Sequence, residues 1–135
     1  MNLYLDIDGV LVSNALGHQG SAARYAAEFL REATRQHDCF WLTTHCRGGE
    51  NNAPHYLRHK LPPHAAQYVQ LIKNTDWETW KTEAIDFSQD FLWLDDEVYQ
   101  PELDELSKHG CLERLIRVDL RKHPDQLQDI LREYF

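Results

Sequence analysis

Four short apolar runs, Asn2–Leu5 (NLYL), Cys39–Leu42 (CFWL), Phe91–Leu94 (FLWL) and Leu115–Val118 (LIRV), are separated by stretches long enough to hold helices. Apolar runs of this length read as buried strands. After the first run, Ala22, Ala26, Phe29, Leu30 and Ala33 recur at three- and four-residue spacing, with Arg24, Glu28, Arg31, Glu32 and Arg35 on the opposite side. The spacing predicts a helix capped by Ser21 and ending near His37. Thr75 and Glu78 have capping-box spacing, which predicts a second helix through Trp77, Trp80, Lys81, Ala84 and Ile85. A third runs from about Pro101 to Lys108, before Gly110, and a fourth opens at Pro124 and carries Leu127, Ile130, Leu131 and Tyr134. The segment HAAQYVQLI, after Pro62 and Pro63, fits either helix or strand. Strands alternating with helices predict an α/β fold, a three-layer Rossmann-like arrangement with a mainly parallel central sheet. Ligands of such sheets gather beyond the C-terminal strand ends.

Size and charge narrow the function classes. With 135 residues, 42% of them hydrophobic, the chain is expected to form one core and a single domain, 1–135. Twenty-two acids against fourteen Lys and Arg leave a net charge of -8, which disfavours a broad basic surface for a polyanion but leaves room for a local basic pocket. No apolar run approaches the roughly 18 residues of a membrane span, and the first residues do not pair a basic region with a signal-like apolar stretch, so a soluble chain is the expectation. Cys39, Cys46 and Cys111 are odd in number and widely spaced, so reduced thiols and a cytoplasmic location are the expectation.

Three of the apolar runs finish on oxygen-bearing side chains: Asp6 and Asp8 after LYL, Thr43 and Thr44 after CFWL, and Asp95 and Asp96 after FLWL. In a parallel sheet all six project into one crevice. Two carboxylates at ~4 Å and an effective dielectric of ~20 repel by on the order of 4 kcal/mol, so four of them call for a cation. Oxygen ligands without clustered thiolates suit a hard ion, and Mg²⁺ binds through one or two carboxylates plus a phosphate. Lys81, ahead of the last acidic run, offers the positive charge a phosphoryl group needs; Lys73 is its competitor. His55 and His59 in HYLRH lie four apart and would share a helix face as a minor zinc reading, but no HExxH glutamate accompanies them. Trp41, Trp77, Trp80 and Trp93 fall mostly on apolar faces and read as core rather than as a stacking platform.

In order, DIDGVL, LTT, Lys81 and WLDDE resemble the four motifs of the haloacid dehalogenase (HAD) superfamily, over Asp6 to Glu97. The resemblance implies a Mg²⁺-dependent phosphatase that hydrolyses a phosphomonoester through an aspartyl phosphate. Asp6 would be the nucleophile, and Asp8 the acid and then base, with its backbone carbonyl on the metal. Thr43, or alternatively Thr44, would hold the phosphoryl oxygens; Lys81 would neutralise phosphate and Asp6; Asp95 and Asp96 would complete the metal site. Gly9 would let the chain bend tightly around the phosphate. The intervals between motifs leave no room for a large cap domain, so the resemblance implies an open site that takes the exposed phosphate end of a larger molecule, or a small phosphorylated substrate with an oligomeric partner or the segment Arg47 to Pro63 as cover. DIDGVL with the WLTT strand end is also similar, more weakly, to HAD domains of RNA-repair proteins, which brings in a polynucleotide phosphate end. The runner-up is a non-catalytic HAD-fold module that binds Mg²⁺ and a phosphorylated ligand or partner; an intact Asp8 argues against it.

Overall fold

The computed structural model describes residues 1–135 and contains a four-stranded, wholly parallel sheet flanked by helices. The strands are β1 (Asn2–Leu5), β2 (Asp38–Trp41), β3 (Phe91–Asp95) and β4 (Leu115–Arg117), in the order β2-β1-β3-β4. β1 lies between β2 and β3, with Leu5 opposite both Trp41 and Leu94. The chain leaves β1 for one side and later returns to the other, so the sheet order reverses at β1. A crevice opens at such a switch point beyond the C-terminal strand ends. All five residues of β3 are buried, as the uninterrupted apolar run requires when both sheet faces are covered.

The helices are α1 (Ala26–Gln36), α2 (Ala53–Leu57), α3 (Ala66–Val69), α4 (Gln100–Lys108) and α5 (Gln126–Tyr134). α1 buries Phe29, Leu30 and Ala33, and α5 buries Leu127 and Ile130. The two helices pack together, the Phe29 and Phe135 rings 5.4 Å apart. Thirty-five buried apolar side chains form one cluster, with Trp41 and Trp93 at zero exposure within it. No helix is long and apolar enough to cross a membrane.

Two helices differ from the sequence reading, each for a tertiary reason. α1 starts at Ala26, not after Ser21, because Val12 and Ala22 form an antiparallel bridge and Ala23 N–H donates to Leu11 C=O. That contact holds 22–23 extended, and Tyr25 enters the helix with φ 66. The Ser21 hydroxyl donates to His18 C=O instead of capping. The helix expected through 75–85 is reduced to a 3-10 turn at Lys81–Ala84. Thr75 Oγ1 donates to Trp41 C=O at 2.6 Å, and Gly48 N–H donates to Trp77 C=O, so the segment follows the loop after β2. Glu83, rather than Glu78, collects the free amides, accepting from the N–H groups of Glu78, Thr79 and Trp80. The ambiguous segment forms a 3-10 turn and α3, then Lys73 makes a parallel bridge with Phe40 at the edge of β2.

Candidate functional site at the C-terminal strand ends

The site begins where β1 stops. Asp6 N–H donates to Leu94 C=O at 3.0 Å, so the backbone of Asp6 is held by β3. Ile7 C=O accepts from the N–H groups of Val10, Leu11 and Val12, closing a tight loop just beyond it. Gly9 sits in that loop at φ 82, and a Cβ there would fall inside the Asp96 carboxylate. Glycine thus meets two demands at once, a left-handed backbone and the close approach of an acidic side chain. Gly9→Ala is expected to lower stability by about 1–3 kcal/mol and displace Asp96, read as a lower midpoint in urea unfolding; an unchanged midpoint would contradict this geometry.

Asp6, Asp95 and Asp96 converge, with one carboxylate oxygen from each inside a 4.8 Å span. Asp95 is fully buried at the end of β3, and Asp6 is nearly so. Lys81 Nζ lies 2.6 Å from Asp95 Oδ2 and 3.3 Å from Asp6 Oδ2. The other Asp95 oxygen accepts Glu97 N–H at 3.0 Å, which leaves Asp96 the freer acceptor, touched by Asn14 Nδ2 at 3.4 Å. Lys81 is positioned from behind: its backbone N–H donates to Glu102 Oε2, while Glu102 Oε1 accepts from Tyr99 N–H at the start of α4.

One ammonium faces three carboxylates, and the charges do not balance. Burial raises the Asp6 pKa, although Lys81 opposes the shift. Burial, then the neighbouring Asp6, pushes Asp95 up to about 7 despite its Lys81 contact. Burial and Asp95 likewise raise Asp96. Burial disfavours the Lys81 ammonium, but Asp6 and Asp95 outweigh it and hold the proton on. The cluster is therefore short of positive charge.

Asp8 stands apart from this trio. Its carboxylate is half exposed, with Oδ2 3.0 Å from His45 Nε2 and Oδ1 accepting from the Tyr56 hydroxyl. The His45 and Tyr56 rings stack with centroids 4.0 Å apart. Burial and the Asp8 contact push the Tyr56 phenol up to about 12, so it stays a donor at neutral pH. The Asp8 backbone carbonyl accepts no hydrogen bond within the chain.

A cavity of ≈ 270 Å³ gathers Asp6, Asp8, Thr44, Lys81, Asp95 and Asp96 on its wall. Thr43 does not line it: the side chain is fully buried, with Oγ1 3.4 Å from His45 N–H, and its carbonyl accepts from Trp77 Nε1. Lys73 is remote, an exposed partner of Asp38 at 3.8 Å. His55 and His59 are both exposed, α2 ends at Leu57 before His59, and neither belongs to the acidic trio, the sole grouping of three or more potential metal ligands. Trp80, read as core, stands at the cavity rim with Arg47 and Tyr99. Glu102 carried a sequence signal, three residues after Tyr99 at a helix start. His45 and Tyr56 carried none, being 37 and 48 positions from Asp8.

Compared with known proteins, the chain matches no family model, no curated protein and no solved structure.

Proposed function

We propose that this chain is a Mg²⁺-dependent phosphatase of the HAD type, which hydrolyses a phosphomonoester through an aspartyl phosphate on Asp6. The observation that carries the reading is the setting of Asp6: a carboxylate at the switch point of a parallel sheet, 3.3 Å from a buried ammonium and grouped with two further acids. The donor set fits a hard divalent ion, because it is all oxygen and short of positive charge. Asp6, Asp96 and the free carbonyl of Asp8 would hold the ion, with Asp95 beside them. A bound Mg²⁺ would supply positive charge to the phosphoryl oxygens.

The residues divide the remaining work. A phosphoryl group entering the cavity meets Lys81, which offsets its charge and that of Asp6 as the two anions approach. Asp6 attacks phosphorus, the bond to the leaving oxygen breaks, and Asp8 gives that oxygen its proton. Asp8 then takes a proton from water as the water attacks the aspartyl phosphate, releasing phosphate and restoring Asp6. His45 and Tyr56 fix the Asp8 carboxylate, and Thr44 lines the same cavity.

Hydrolysis of an aryl phosphate by the purified protein, with and without Mg²⁺, tests the proposal directly. Mg²⁺-dependent turnover is expected; Mg²⁺ binding with no turnover of any phosphomonoester would leave the non-catalytic module. Proton donation predicts a leaving-group effect. Asp8→Asn should slow alkyl phosphates by a factor on the order of 10²–10⁴, and aryl phosphates with good leaving groups much less in the first chemical step. Equal losses in that step would remove Asp8 from the role of acid.

Metal binding also has a thermal signature whose sign follows from the raised carboxylates. Asp95 moves from 3.8 to about 7 on folding, so the penalty for ionising it is absent below about 4 and complete above about 7. Asp6 and Asp96 move in the same direction. Mg²⁺ binds the ionised form and should therefore raise Tm more at pH 8 than at pH 5. A hundredfold excess over Kd contributes about 2.7 kcal/mol. A shift of equal size at both pH values, or none, would count against the acidic trio as the ligand set.

A further inference from the structure

Beside the acidic cavity, on the β4 side, lies an open cleft of ≈ 570 Å³ that shares Asp96 and Glu97 with it and includes neither Asp6 nor Lys81. Arg117, Arg121 and Lys122 line this cleft, at the end of β4 and in the loop that follows. None of the three forms an ion pair. The cleft also holds three carboxylates, none of them within ion-pair distance of these cations: Asp96 belongs to the acidic trio, Glu97 accepts from the Tyr99 hydroxyl, and Asp119 accepts from Lys122 backbone N–H. Two of the cations are held in place through the backbone. Arg117 Nη2 donates to Val98 C=O and Arg121 Nε to Asn14 C=O, each at 3.1 Å. Each guanidinium thereby spends one N–H on its anchor and keeps the others for a ligand.

In a chain of net charge -8, three cations gathered in one cleft without a carboxylate partner leave their guanidinium and ammonium donors open to an anion. Guanidinium forks match phosphate oxygens in pairs, and anchoring reduces the ordering that binding would otherwise require. Resting on the phosphatase reading above, we propose that this cleft holds a second phosphate of the substrate, so that the site acts on a molecule carrying two phosphates rather than one. The phosphate to be removed sits at Asp6 and Lys81, and the retained one, across Asp96, is bound by Arg117, Arg121 and Lys122.

The test is binding without turnover. In the Asp6→Asn protein with Mg²⁺, calorimetry compares a nucleoside 3′,5′-bisphosphate with the matching 5′-monophosphate, before and after adding Arg121→Gln and Lys122→Gln. Arg117 stays in place because its bond to Val98 C=O supports β4. The bisphosphate is expected to bind about 10- to 100-fold more tightly than the monophosphate, and the double substitution to remove most of that difference. Equal affinities, no measurable binding of either ligand, or a loss shared equally by both would overturn the subsite. Failure of the two ideas is distinguishable. Discrimination in binding without hydrolysis of any phosphomonoester by the unsubstituted protein keeps the subsite and removes the phosphatase; hydrolysis without discrimination does the reverse.

Discussion

Asp6→Asn should abolish phosphomonoester hydrolysis while leaving the protein at least as stable. An amide has nearly the shape of the carboxylate but cannot attack phosphorus, so the rate is expected to fall by a factor on the order of 10³ or more. Stability should move the other way. Burial raises the Asp6 pKa, and Asp6 is the neighbour that helps push Asp95 up to about 7, so removing its charge relieves repulsion in the apo protein. A midpoint in urea that holds or rises, together with lost turnover, is the pattern of a site that sacrifices stability for chemistry. Activity within tenfold of the unsubstituted protein would sink Asp6 as the nucleophile.

Lys81→Met should damage both properties. Lys81 is the ammonium in contact with buried Asp6 and Asp95, and removing one partner of a buried ion pair typically destabilises by about 3–5 kcal/mol. The loss depends on pH. Without Lys81 the two acids are held still further above their ordinary range, so the penalty is absent where both are protonated, below about 4, and grows as pH rises through their folded-state values. The variant should be closest to the parent in stability at pH 5 and furthest from it at pH 8. Turnover should fall by about 10²–10³, the loss expected when one charge-stabilising donor is taken from a reacting centre. Denaturant midpoints at the two pH values check the first expectation, and initial rates the second. A pH-independent loss would mean that Lys81 contributes packing rather than charge.

These opposite outcomes arise from one arrangement, in which three carboxylates share one lysine. Asp95 keeps both oxygens occupied, by Lys81 and by Glu97 N–H, and so resembles a brace; Asp96 has room to meet a ligand. Glu102 extends the brace to α4 by holding the backbone of Lys81. Loss of the Gly9 hydrogen side chain would disturb the same group from the opposite side, since the space a Cβ would need is filled by Asp96.

Much of this was legible in the sequence because parallel strands buried on both faces are written as continuous apolar runs. LYL and FLWL could be placed by composition alone, and an Asp that closes such a run stands out against it. Alternation of strands with helical stretches was enough to predict the parallel sheet with helices flanking it. Helix starts were less legible. Ser21 and Thr75 carry local capping signals, but one lies beside a bridge from Val12 to Ala22 and the other bonds to Trp41, 34 positions away. A capping side chain is worth about 1 kcal/mol, and long-range backbone pairing outweighs it. Which threonine faces the cavity could not be read from the run CFWLTT; with β2 closing at Trp41, Thr44 lines the cavity while Thr43 is fully buried and does not.

The sequence by itself determined the elements and the chemistry at their ends: which runs are strands, and that carboxylates, hydroxyls and a lysine follow them. It could do so because burial and strand period act on neighbouring residues. Only the tertiary structure decided which of those groups meet. The pairing of Lys81 with Asp6 and Asp95, the His45 and Tyr56 contacts with Asp8, and the three cations gathered beside Asp96 all depend on strand order and loop path. Such contacts join residues tens of positions apart, and no local preference in the chain encodes them.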